Sequence, residues 1–298
     1  MPETLRQGHS ERSLAGGSES GKISAMILTQ LGVIGARGPD TRRFLNGQLS
    51  QDLSALDETR AVRAGLHNPQ GRVLAIVLIV PDGGEDVLLV LPRERLASTL
   101  ALLQRYVLRA KVKLSDETAL FAVEGGWSPS PPAENGRVCS YASDGRWLRV
   151  VARAATAELA NSGPVDPDLA APDQAAWCLA DVRAGLPLIT EQTAGEFVAQ
   201  MLNLDLLEAI SFTKGCYTGQ EVIARAHYRG RVKRRLQRFD SSMVASGELA
   251  PAASIRLQDG RNAQVVQVAH TDTGRTELLA VTTFDLPSLP LGYVLPSE

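Results

Sequence analysis

Apolar positions along this chain follow two spacings, and the change from one to the other divides it. From Leu31 short apolar runs alternate with helical patterns. Asp40 or Thr41 starts a short helix that carries Phe44, Leu45 and Leu49. Residues 73–80 form an unbroken apolar run between Arg72 and Pro81, long enough for a buried strand and far too short for a membrane span. Pro81-Asp82-Gly83-Gly84 joins it to a second run at 86–91, which predicts a hairpin. Over residues 93–108, Leu96, Leu100, Leu103 and Val107 fall on one helical face. Strands follow near 112–114, 120–124, 137–141 and 146–151, the last two joined at Asp144-Gly145. The stretches 128–132 and 163–172 read as surface connections. A helix from about Asp173 ends at Gly185, with Pro187 just beyond it. After Gly230 helical periodicity stops. Strands near 232–239, 254–257, 264–268, 277–283 and 292–295, separated by turns such as Asp259-Gly260, predict a small β-barrel over residues 231–298.

Composition narrows the class. A chain of 298 residues that is 44% hydrophobic can hold two or three packed units. The first 25 residues are polar and rich in Gly and Ser, with Glu3, Glu11 and Glu19 among them. They lack the apolar core of a signal peptide and are too acidic for a transit peptide, so they read as a disordered segment of a cytoplasmic protein, with Met26 an alternative start. The net charge of -2 gives no global pull toward nucleic acid or anionic membrane. Cys139, Cys178 and Cys216 include no C-x-x-C pair, so no zinc ribbon and no self-contained iron–sulfur loop is encoded. Cys178 beside Trp177, and Cys139 in a strand, read as packing residues.

The densest chemistry lies in Lys214-Gly215-Cys216-Tyr217-Thr218-Gly219-Gln220-Glu221. Thr218 and Glu221 have capping-box spacing, which predicts a helix start at Thr218. Cys216 would then sit just ahead of a helix N-terminus, where the dipole favours a thiolate, with the Lys214 ammonium as a second stabilising charge. Gly215 and Gly219 permit close approach or positive φ. Each residue also has a plain structural reading: Glu221 as a cap only, Cys216 as a buried inert thiol, Tyr217 as a packed ring. Downstream, Arg225, Arg229, Arg231, Lys233, Arg234, Arg235 and Arg238 place seven cations in fourteen residues with no acid between them. Such a segment suits a carboxylate-rich tail or RNA phosphates, or is a solvated edge that blocks aggregation.

Phe212-Thr213 leading into that octapeptide, followed by Ala224-Arg225, resembles the signature of the YgfZ proteins, folate-binding relatives of the glycine-cleavage T-protein that support iron–sulfur cluster assembly or repair. Gly38-Pro39-Asp40, Phe44-Leu45-Asn46-Gly47-Gln48-Leu49 with Asp52, and Leu202-Asn203-Leu204-Asp205 extend the likeness, as does Gln70-Gly71-Arg72, with Gln70 where the family has lysine. Ala209-Ile210 departs from the small or glycine-rich pair of the family. The likeness runs from about residue 26 to the C-terminus. It implies an α+β fold in which two mixed α/β units (26–230) surround a central folate pocket and a small β-barrel follows. It further implies tetrahydrofolate as cofactor, held by Arg72, Tyr217, Gln220, Glu221 and Arg225, with Glu221 accepting from pterin nitrogens and Cys216 and Lys214 at the chemical centre. Partners would be folate and iron–sulfur client or assembly proteins. A monomer is expected, with no metal site, no membrane contact and no direct nucleic-acid binding, because the basic segment has few rings for base stacking. Two alternatives stay open. One is a folate-dependent aminomethyltransferase, disfavoured because strand 72–79 lacks the pocket aspartate and the loop carries a cysteine. The other is a tRNA-modification factor that binds RNA directly.

Overall fold

The computed structural model describes residues 25–54, 56–57, 60–127, 137–142, 144–153, 172–230 and 232–283. The expected disordered segment, most of the two connections at 128–132 and 163–172, and the strand at 292–295 lie outside the described residues.

In chain order the strands are β1 (Met26–Ile27), β2 (Leu31–Arg37), β3 (Val62–His67), β4 (Val73–Pro81), β5 (Val87–Pro92), β6 (Lys113–Asp116), β7 (Phe121–Trp127), β8 (Arg137–Ser140), β9 (Arg146–Ala152), β10 (Arg234–Asp240), β11 (Val244–Ser246), β12 (Ser254–Leu257), β13 (Asn262–His270) and β14 (Thr276–Thr283). The helices are α1 (Thr41–Asn46), α2 (Arg93–Arg105), α3 (Pro172–Arg183) and α4 (Gln220–Tyr228). They build three antiparallel sheets, ordered β3-β4-β5-β2-β6, β1-β7-β9-β8 and β10-β14-β13-β12-β11. The expected hairpin is β4–β5, with Leu78 opposite Val90. Helix α2 and strands β6 to β9 stand where the periodicity places them.

The unbroken apolar run of β4 has a simple cause, since both faces of the first sheet are covered. Ala75, Val77 and Ile79 point toward α1 and α2 and pack with Leu45, Leu49, Leu96 and Leu103. Leu78 and Val80 point the other way, toward Leu148, Val150 and Trp177 of the second unit. Trp177 lies so close to β7 that a Cβ on Gly125 would meet its ring at 2.6 Å. Beside it the fully buried Arg146 bonds Asp181 and Asp144, each at 2.7 Å, and lies over the Trp177 and Tyr141 rings. Burial pushes the Asp181 carboxyl up to about 6 despite the opposing pull of Arg146.

The third sheet docks on a one-turn helix, Ala199–Leu202, and the residues after it. Asn203, at φ 58, donates to the Leu236 carbonyl at 3.0 Å. Arg235 makes two bonds to Asp205, at 3.0 and 2.9 Å. Among the described residues this unit is a five-stranded sheet with β10 and β11 at its edges.

Replacing Arg235 by Leu strands the largely buried Asp205 carboxylate and is expected to cost about 3 kcal/mol, read as a lower urea midpoint. The Arg235→Leu/Asp205→Leu double variant should recover most of that loss. If the double variant loses the sum of the two single losses, the pair does not couple the sheet to the rest.

Candidate functional site

The signature loop is fastened to the first unit through one short segment. Ser50 accepts a backbone bond from Ser211 at 2.9 Å, donates its hydroxyl to the Ala209 carbonyl at 2.6 Å, and accepts from the Gly65 amide at 2.8 Å. Lys214 then turns inward and is only 8% exposed. Its ammonium donates to the carbonyls of Asn46, Leu49 and Gln51 at 2.6, 2.7 and 2.8 Å. Burial pulls Lys214 down to about 8, with Asp52 acting in the opposite sense. The three carbonyl acceptors favour the charged form as well. The ammonium expected to add a second charge near the thiol is thus held by carbonyls of another part of the chain.

A second clamp sits five residues on. Asn68 closes a tight turn, its side chain accepting from the Gln70 and Arg72 amides at 3.0 and 2.9 Å. The turn meets the loop glycine to glycine. Gly71 (φ 70) and Gly219 (φ 82) approach so closely that a Cβ on Gly219 would lie 2.5 Å from the Asn68 carbonyl oxygen and 3.0 Å from the Gly71 Cα. Gly219 is the residue that precedes α4, in the left-handed region, with no side-chain cap. The expected capping box is thus absent and the helix starts at Gln220, not Thr218. The physical reason is the glycine contact, which sets the backbone at Gly219 and leaves Thr218 outside the helix. Gly215, by contrast, faces open space.

Between the clamps Cys216 is exposed and free. Cys178 is half-buried, and burial pushes its thiol up to about 11, which suits a packing residue. Tyr217 is buried, with its hydroxyl pushed up to about 12 by that burial. Its ring lies 6.1 Å from the His67 ring. His67 is 2% exposed, and neither ring nitrogen has a hydrogen-bond partner among the described residues. Burial alone pulls it down to about 3. The imidazole fills the space over Gly65, where a Cβ would lie 2.5 Å from His67 Cε1 and 3.2 Å from Leu204 Cδ1.

Leu204 leads to a small cleft, about 40 Å³ beneath a solvent-open mouth, on the face of the first sheet away from α1 and α2. Ile76, Leu78 and Val90 form its floor, Tyr141 and Leu148 one wall, and residues 186–188 another. Arg63 is the one charged side chain among the described lining residues. Its guanidinium lies 4.7 Å from the Tyr141 ring centre and donates to the Tyr141 carbonyl. Of the residues singled out in sequence, Lys214, Cys216, Tyr217, Gln220, Glu221 and Arg225 share the loop and the start of α4, yet none lines this cleft. Glu221 and Arg225 are exposed on α4, and Arg72 bonds the Gly195 and Glu196 carbonyls from the far side of the glycine clamp. Sequence reasoning missed β3 and with it Arg63 and His67. The signal was there: Arg63, Gly65 and His67 alternate with Ala64 and Leu66, so one face of the strand is polar or bare.

Among the described residues no helix is long and apolar enough to cross a membrane, and no cluster of His, Cys, Asp and Glu could hold a metal. No family model matches the chain. It is 31% identical to "tRNA-modifying protein YgfZ" of Edwardsiella ictaluri, over 89% of this chain and 86% of that one. An uncharacterized protein of Haemophilus influenzae is also 31% identical, over 78% of each chain. The fold is shared with the crystal structure of glycine cleavage system aminomethyltransferase T from Bartonella henselae, at a TM-score of 0.65 and 13% identity over 87% of this chain and 78% of that one.

The glycine contact makes an asymmetric prediction. Gly219→Ala adds a clash to a left-handed backbone and should cost about 2 kcal/mol or more, whereas Gly215→Ala should leave thermal unfolding nearly unchanged. Equal losses at the two positions would show that the clamp does not fix the loop. His67 makes a second. Its native ring takes a proton only near pH 3, while an unfolded histidine takes one near 6.5, so stability falls as pH drops through that window. At pH 5 the loss from this one group is about 2 kcal/mol. His67→Gln should flatten the dependence of unfolding free energy on pH between 7 and 5, and an unchanged slope would assign acid lability to other groups.

Proposed function

The chain belongs to the YgfZ family, and we propose that it binds a reduced folate in the cleft beside Arg63 and Tyr141 while the neighbouring loop presents the Cys216 thiol in support of iron–sulfur cluster assembly or repair. The observation that carries this reading is the pairing of a largely apolar cleft, on a fold shared with an aminomethyltransferase, with an exposed cysteine on a loop clamped against the same sheet. The chemistry of the lining supports the ligand class. Its apolar floor and Tyr141 ring offer a flat heterocycle an apolar surface to lie on, and the Arg63 guanidinium can donate to a carbonyl or carboxylate oxygen. Tetrahydrofolate, when bound, is a carrier of one-carbon units. The protein's own contribution is to exclude water along the β4–β5 floor and to hold Tyr141 and Arg63 against each other.

The described lining residues include no carboxylate, which counts against aminomethyl transfer, where a pocket acid has charge to manage. A thiol is the one soft ligand on the loop, suited to a metal, a persulfide or a mixed disulfide. The name carried by the Edwardsiella ictaluri relative, "tRNA-modifying protein", fits a role in which the client is an iron–sulfur enzyme that modifies tRNA.

A tetrahydrofolate titration followed by thermal unfolding tests the cleft. Wild type should gain about 2.7 kcal/mol at a hundredfold excess over the dissociation constant, and Arg63→Ala should need more ligand for the same gain. Cys216→Ser should keep the folate response yet fail to restore iron–sulfur enzyme activities in cells lacking the protein. A wild type that tetrahydrofolate does not stabilise removes the folate half of the proposal. Full restoration by Cys216→Ser removes the thiol half.

A further inference from the structure

We propose that the outward face of α4, with the chain that follows it, is a docking surface for single-stranded RNA. The sequence alone set nucleic acid aside for want of rings near the basic segment, and the fold supplies them. Phe212, from before the signature loop, stacks on His227 with ring centres 3.7 Å apart and planes at 14°. Tyr228 stands edge-on to both, at 6.1 and 4.7 Å, and remains 66% exposed. The inner pair thus fixes a ring that faces water.

On the same helical face lie Val222, 40% exposed, and Arg225, three residues before Tyr228 and four before Arg229. Lys233 and Arg234 follow within a few residues of the helix end. Arg225, Arg229, Lys233 and Arg234 are all exposed, and none of their side chains has a hydrogen-bond or ion-pair partner among the described residues. Two other cations of the segment are engaged elsewhere: Arg235 with Asp205, and Arg238 with the Arg183 carbonyl. Glu221 is the only carboxylate of α4, so the face keeps a positive excess in a chain whose net charge is -2. Like charges gathered with a single counter-charge repel, and a polyanion relieves that repulsion.

The rings decide which polyanion. A glutamate tail offers carboxylates and amides but no ring, and a duplex hides its base faces. A single strand presents phosphates to the cations and bases to Tyr228. This inference does not depend on what fills the cleft.

The test is fluorescence anisotropy of the full chain with a short labelled mixed-sequence oligoribonucleotide. With three or four phosphates neutralised, affinity should fall roughly 20- to 50-fold between about 50 and 200 mM KCl. Tyr228→Ala should weaken binding about tenfold at fixed salt, and Tyr228→Phe should restore it. Arg225→Glu with Arg229→Glu should weaken binding further and flatten the salt dependence. Arg105→Glu with Arg109→Glu, an equal charge change at exposed positions on and after α2, should leave affinity as in wild type. The proposal is overturned by wild type that does not bind at low salt, by Tyr228→Ala that binds as tightly as wild type, or by equal losses in the two charge-reversal pairs. Displacement of the strand by pentaglutamate at matched concentration would assign the face to a folate tail and overturn it too. Circular dichroism of each variant excludes unfolding as the cause of a loss.

Discussion

A buried ammonium holds this site together. Lys214 could reach water, as most lysines do, and instead donates to three carbonyls that α1 and the turn after it leave unpaired. Burying a cation in this way is tolerable only when its donors are matched, and here all three are. The consequence is positional. With Lys214 fixed from below and Gly219 pressed on Gly71 from the side, the four residues between them have little freedom. Cys216 is exposed between two buried side chains, Lys214 and Tyr217: a loop anchored at both ends turns its middle outward.

The cleft and the loop are joined by packing. Tyr217, His67, Gly65 and Leu204 form a continuous line from the residue next to the thiol to the wall of the cleft. His67 is the weak member, a polar ring with no described partner in an apolar setting. It is kept neutral by its surroundings, and Gly65 is what makes room for it. The bare glycine and the unpaired imidazole are two parts of one local arrangement on β3.

How far the sequence spoke depended on the kind of signal. Residues 73–80 and 93–108 were legible because their apolar spacing matches a buried strand and an amphipathic helix, and both stand as β4 and α2. The octapeptide announced itself by chemistry, and it does form one loop. Its internal geometry was not legible, because the helix start is decided by Gly71, nearly 150 residues away, rather than by the Thr218–Glu221 spacing. Likewise nothing local to Lys214 says that its partners are at 46–51. β3 stayed hidden because Arg63, Gly65 and His67 break the apolar pattern that identifies strands, and of these Arg63 lines the cleft while Gly65 lies against Leu204 of its wall. The positions where a strand faces a cavity are the ones that blur its periodicity.

Lys214 lies 168 residues beyond the first carbonyl it binds. At about 5–20 residues per second of synthesis, roughly 8–34 seconds separate the appearance of Asn46 from that of the lysine. Throughout that interval the first sheet and its helices can pack, since their contacts are local, but the carbonyls of Asn46, Leu49 and Gln51 have only water to bind. The thiol loop is therefore the last part of the first unit to be completed, and a truncated chain that stops short of it would hold most of its core and none of its chemistry. Nascent copies cannot expose a positioned Cys216 before the scaffold beneath it exists.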